Sequence, residues 1–148
     1  VKKITYKEGD LFLIESNNKK VFLGLIIRRQ GRTKILAGYF WRMEMGFKLD
    51  KEIILKKEDS VLFAKFSGLG FDIGNWKILH ANYQWNKVDW PIPVLKKYDQ
   101  LRKCYYSVTY NKDILNEDVK KITEKEAANL FEDGLRGYIS LVTELSKL

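Results

Sequence analysis

Few side chains in this sequence are of types that do covalent chemistry, and they do not combine. His80 is the single histidine, and it falls on a predicted strand. A Ser–His–Asp or Cys–His arrangement would have to use it. Strand alternation sends its neighbours Leu79 and Ala81 to the opposite face, so His80 reads as a surface or half-buried strand residue. A hydrolytic metal centre draws on several His or carboxylate ligands, and one histidine is a poor start. Cys104 is the single cysteine. It rules out an internal disulfide and a Cys-based zinc cluster, and it fits a reducing compartment.

Gly68-Leu69-Gly70 looks like the start of a phosphate loop. The dinucleotide-binding form needs a third glycine at position 73, where Ile73 stands; Gly74 is one residue late. No Gly-Lys-Ser/Thr occurs. The segment reads as a flexible turn leading into a strand, with no helix N-terminus to receive phosphate. The carboxylate pairs Glu58-Asp59, Glu117-Asp118 and Glu132-Asp133 sit in turn-like or helix-end sequence and read as solvated. Glycosidase acids face each other across a cleft from separate elements, which adjacency does not supply.

One cluster favours binding over catalysis. Arg28, Arg29, Arg32 and Lys34 flank a turn, and Trp41-Arg42 follows. Basic residues beside aromatics bind phosphate backbones and stack on bases. Arg and Trp are also favoured at protein–protein hot spots. The candidate partner-binding residues are therefore Arg28, Arg29, Arg32, Trp41, Arg42 and, from a later loop, Trp85. A hairpin tip also simply wants solvated charge. Trp76, Trp85 and Trp90 equally suit core or loop-anchoring roles.

The chain that must position these residues has 148 of them, 45% hydrophobic and 31% charged, which is globular composition rather than disorder. That is the length of one domain, and residues 1–148 read as a single one, able to build a core without staples. The net charge of +8 is unevenly spread: residues 1–110 carry +10 and residues 111–148 carry −2. A basic field attracts phosphate backbones, acidic proteins or anionic membranes. No apolar run approaches the ~18 residues of a membrane span. No basic–apolar–small leader opens the chain, so the expected location is the cytoplasm.

Leu11–Ile14, Val21–Ile27 and Thr33–Phe40 read as three strands of an antiparallel meander, punctuated by Ser16-Asn17-Asn18 and Gln30-Gly31. Gly24 inside the second strand predicts a bulge or a close approach. Glu52–Leu55, Val61–Phe66, Trp76–Ala81 and Cys104–Tyr110 are further strand candidates. Pro91 and Pro93 make 82–94 a loop packed by its aromatics. Thr123-x-x-Glu126 is a capping box before a short helix over 124–131, stopped by Asp133-Gly134. Tyr138–Leu145 reads as a closing strand, with a helix as the alternative. The sum is an α+β fold: a mainly antiparallel twisted sheet or partly open barrel, with one or two short helices near the C-terminus.

In order and spacing the sequence resembles the immunity protein 26 family. Lys7-Glu8-Gly9-Asp10-Leu11-Phe12-Leu13-Ile14 is similar to its opening, and Gly74-Asn75-Trp76-Lys77-Ile78-Leu79 to its Gly-x-Trp-x-Ile segment. Pro91-x-Pro93 sits where a proline-aromatic stretch follows. Thr123-Glu124-x-Glu126-Ala127-Ala128-Asn129-Leu130 and Gly134-Leu135-x-Gly137-Tyr138 resemble the ending, and this favours the strand reading of Tyr138–Leu145. The resemblance implies an immunity protein of a bacterial polymorphic toxin system, which binds a cognate protein toxin. It implies no catalytic motif, no metal and no cofactor. Some relatives carry a phosphotriesterase label, and the single histidine argues against carrying that over. A nucleic-acid-binding β-barrel module is the alternative. An inhibitor plugging a nuclease's basic groove should be acidic. A basic chain therefore constrains the toxin or the contact face, and the acidic segment Asp113–Asp133 is the local candidate for a basic partner.

Overall fold

A computed structural model describes residues 5–50, 53–73, 76–79, 85–111, 113–114 and 117–148. The first three strands are β1 (Leu11–Glu15), β2 (Val21–Arg29) and β3 (Ile35–Met43). They form the predicted antiparallel meander. β4 (Leu62–Ser67) adds to β3, and β5 (Lys77–Leu79) adds to β1. A second sheet holds β6 (Leu95–Asp99), β7 (Cys104–Tyr110) and β8 (Glu117–Ile122). The two-residue strands β9 (Phe131–Glu132) and β10 (Leu135–Arg136) follow. β9 pairs parallel with β6, and β10 pairs parallel with β4. The sheet orders are β10-β4-β3-β2-β1-β5 and β8-β7-β6-β9. The fold is α+β with two mixed sheets, and it does not close into a barrel.

The six-stranded sheet is buried on both faces, so β2 reads as a continuous apolar run rather than an alternation. On one face lie Phe12, Phe22, Phe40 and Phe66, covered by α1 (Leu69–Ile73) and α3 (Tyr138–Ser146) through Phe71, Leu141 and Leu145. On the other lie Leu23, Leu25, Tyr39, Trp41 and Phe63. Trp90 and Ile92 of the proline loop cover them, together with Leu95, Val108 and Tyr110 of the second sheet. The layers are thus helix, large sheet, then loop and small sheet.

Gly24 is a site of close approach. A Cβ there would stand 2.3 Å from Phe12 Cζ, so the ring of its cross-strand neighbour lies over the bare backbone. The bulge falls two residues later, where Ile26 pairs with Gly38 and Arg28 with Ala37.

Several expectations need correction. Tyr138–Leu145 is helix, not strand. Tyr138, Leu141, Val142 and Leu145 fall at helical spacing, and Leu141 and Leu145 are fully buried. The β-branched Ile139, Val142 and Thr143 mimic strand propensity without deciding the outcome. Residues 68–75 are not a plain turn, because Leu69–Ile73 forms α1; Gly74 and Asn75 lie outside the described residues. Of Glu52–Leu55, residue 52 lies outside the described residues and 53–55 form no ladder. Ile53 and Leu55 pack on the Trp41 side of the core while Ile54 stays exposed. The helix predicted over 124–131 spans only α2 (Glu124–Ala127), and Phe131 belongs to β9. Its capping box is formed: Glu126 N–H donates to Thr123 Oγ1 at 3.1 Å, and Thr123 N–H to Glu126 Oε1 at 3.2 Å.

Candidate partner-binding surface

The basic cluster does not form one surface. Arg28 is buried, and its Nη1 donates to the Ile27 carbonyl at 2.7 Å. Burial lowers its pKa, against the opposing pull of Glu8 and Tyr39. Arg29 turns back onto its own neighbourhood. Its guanidinium donates to the Tyr6 carbonyl at 2.7 Å and lies 4.7 Å from the Tyr6 ring centre. Arg32 is exposed at the β2–β3 tip. Trp41 is a core residue, packed on Trp90 with its indole N–H donating to the Lys56 carbonyl at 2.8 Å. Arg42 is exposed at the far end of β3 and donates to the Leu148 carbonyl at 3.1 Å. Trp85 is half-buried over Gly9, whose φ is +94°. Arg32 and Arg42 are therefore the exposed members, and β3 separates them. No stacking platform joins them, since Trp41 faces inward.

The other sequence candidates also take structural places. Gly68 and Gly70 admit aromatic rings: a Cβ would stand 2.5 Å from Tyr6 Oη at Gly68, and 2.4 Å from Trp76 Cε2 at Gly70. His80 lies outside the described residues. Cys104 is a half-buried free thiol. Among the described residues no group of three His, Cys, Asp or Glu side chains is placed to hold a metal ion. No helix among them is long and apolar enough to cross a membrane.

Asp133 overturns the solvated reading of its pair. Its side chain is 8% exposed and stands 2.8 Å from Lys65 Nζ. The Tyr110 hydroxyl completes the group, donating to Asp133 at 3.0 Å and accepting from Lys65 at 2.6 Å. Burial and the Asp133 charge raise the Tyr110 pKa. These residues come from β4, β7 and the β9–β10 link, so the cluster joins the two sheets rather than facing a substrate. Tyr39 is pushed up to about 12, chiefly by burial, with Arg28 pulling the other way.

A further exposed surface lies at the β6–β7 hairpin. Asp99 Oδ1 accepts from Leu101 N–H at 2.9 Å and from Arg102 N–H at 3.1 Å. This side-chain turn fixes the tip. Lys103 closes it with φ 52°, a left-handed conformation. The result holds Leu101 out at 96% exposure. Arg102 donates to the Tyr106 hydroxyl at 3.2 Å, which orients both side chains beside it. Lys97, Tyr106 and Val119 continue that face into a shallow concavity. On the opposite face Tyr98 packs on Tyr105 at 4.8 Å between ring centres. Tyr and Arg are side-chain types favoured at protein-binding hot spots. The sequence signal for this hairpin is Asp99 four residues before Lys103, a turn between two aromatic strands.

No curated protein and no solved structure matches the chain. The sequence profile of one family, immunity protein 26, matches residues 7–107. That span runs from the β1 approach through the middle of β7. It contains the opening motif, the tryptophan segment and the proline loop on which the resemblance rests, while the tail motifs fall beyond it. The family is one of immunity proteins, and it implies a toxin as partner. With the match covering most of the sequence, the chain belongs to the immunity protein 26 family.

Proposed function

We propose that this protein neutralises a cognate bacterial toxin by stoichiometric binding, without catalysis, in the cytoplasm of the cell it protects. Family membership over residues 7–107 is the observation that carries this reading. The hairpin surface around Leu101, Arg102 and Tyr106 supports it, because Arg and Tyr are favoured at hot spots and the exposed Leu101 beside them offers apolar surface for a partner to bury. Arg32 and Arg42 supply outlying positive charge. The net charge of +8 disfavours a toxin whose own binding groove is basic, unless the contact avoids that groove.

Co-expression with a toxin encoded beside the gene tests the reading. Growth should be restored, and the two chains should co-elute from gel filtration in fixed ratio. Absence of both rescue and complex would remove the proposal.

A further inference from the structure

We propose that β8 is a self-complementary edge that pairs two copies of this chain across a two-fold axis. Among the described strands, the edges of both sheets are β10, β5, β9 and β8. The first three are two or three residues long. Such short edges offer little to pair with. β8 has six residues, and Glu117–Lys121 are all exposed. Among the described residues its single strand partner is β7, which leaves its other side unpaired there.

The charge order along β8 is Glu117-Asp118-Val119-Lys120-Lys121. Laid antiparallel on itself about Val119, it sets Glu117 opposite Lys121, Asp118 opposite Lys120, and Val119 opposite Val119. Every charged residue then meets its opposite, giving four complementary pairs around an apolar centre. Opposite charges directly across a ladder stabilise it and like charges destabilise it. A two-fold axis through a residue pair is allowed in either phase of an antiparallel ladder. Glu117, Val119 and Lys121 share one face and Asp118 and Lys120 the other, so both faces are matched.

Asp118, Lys120 and Lys121 form no ion pair with another side chain among the described residues. Glu117 receives only a long 3.4 Å bond from Tyr110. Their charges are thus available. Val119 is 51% exposed, and the pairing would cover it. The contact is isologous, so it closes at a dimer and does not propagate along this edge. It joins two four-stranded sheets into one of eight strands.

Sedimentation of the protein alone, without any toxin, tests this independently of the proposed function. The expected species at concentrations up to about 1 mM is a dimer of twice 17.5 kDa. Lys120→Glu/Lys121→Glu places acid opposite acid at all four pairs. Glu117→Lys/Asp118→Lys places base opposite base. Each variant should weaken the dimer by about tenfold or more. Mixing the two should restore a heterodimer, and all four substitutions in one chain should restore a homodimer with the charges exchanged. An unchanged circular dichroism spectrum shows that each variant is folded. A monomeric wild type overturns the proposal. So does a dimer indifferent to both reversals, which would place the contact on another face.

Discussion

Lys65 and Asp133 meet at 2.8 Å across the seam between the two sheets, with the Tyr110 hydroxyl bonded to both. Lys65 belongs to the large sheet and Tyr110 to the small one. Asp133 sits on the link between β9 and β10, which joins both. Removing one partner leaves the other charged and buried, which costs about 3–5 kcal/mol. Lys65→Met and Asp133→Leu should each lower the unfolding free energy read from urea denaturation by that order, and the double variant should recover a large part. A double variant as unstable as the sum of the singles would show that the pair is not coupled.

Leu101 separates binding from stability. At 96% exposure it contributes nothing to the core. Leu101→Asp should leave the unfolding curve in place and weaken a toxin complex by roughly 30-fold or more, the scale of a hot-spot residue. Titration calorimetry with the toxin reads the effect. Unchanged affinity would move the interface away from the hairpin.

Gly24 has no room for a methyl group. Gly24→Ala drives a Cβ to 2.3 Å from the Phe12 ring in the middle of the core. Overpacking of this kind costs about 1–3 kcal/mol. Phe12→Leu in the same chain should return part of that loss, since the smaller side chain vacates the contact. Thermal melts of the single and double variants report it.

Alkaline pH should unfold the protein through its buried phenols. Tyr39 rises from 10.0 to about 12 because the core accepts only the neutral form. Its contribution is intact below pH 10 and is lost as the pH climbs toward 12. Tyr110 is raised as well and adds to the loss. Tyr39→Phe should flatten the decline between these pH values, at the cost of the 3.3 Å bond to the Pro91 carbonyl. A decline of unchanged steepness would assign the transition to other groups.

The elements legible in the sequence are those whose burial writes a pattern. Leu11–Ile14, Val21–Ile27 and Cys104–Tyr110 announce strands because both or alternate faces are covered. β6 and β8 passed unnoticed because Leu-Lys-Lys-Tyr-Asp and Glu-Asp-Val-Lys-Lys-Ile carry charge where a half-buried strand would carry apolar residues. Their pairing is set by β7 between them. At α3 propensity and periodicity disagree, and the Leu141–Leu145 spacing decides for helix. The arginine cluster at 28–32 reads as a binding surface in sequence. Arg28 and Arg29 instead serve the backbone around them, and the exposed tip at Leu101 is shaped by one Asp99 side chain whose role shows only in three dimensions.

The parallel strands β9 and β10 lie within six residues of each other, yet each completes a different sheet. Leu141 and Leu145 then seal the phenylalanine face. Every strand these residues complete is made earlier on the ribosome. Neither sheet is finished, and that face stays open to water, until the segment 131–145 has emerged. One short segment thus locks both sheets and one face of the core together, so its docking is a single event on which the whole fold closes.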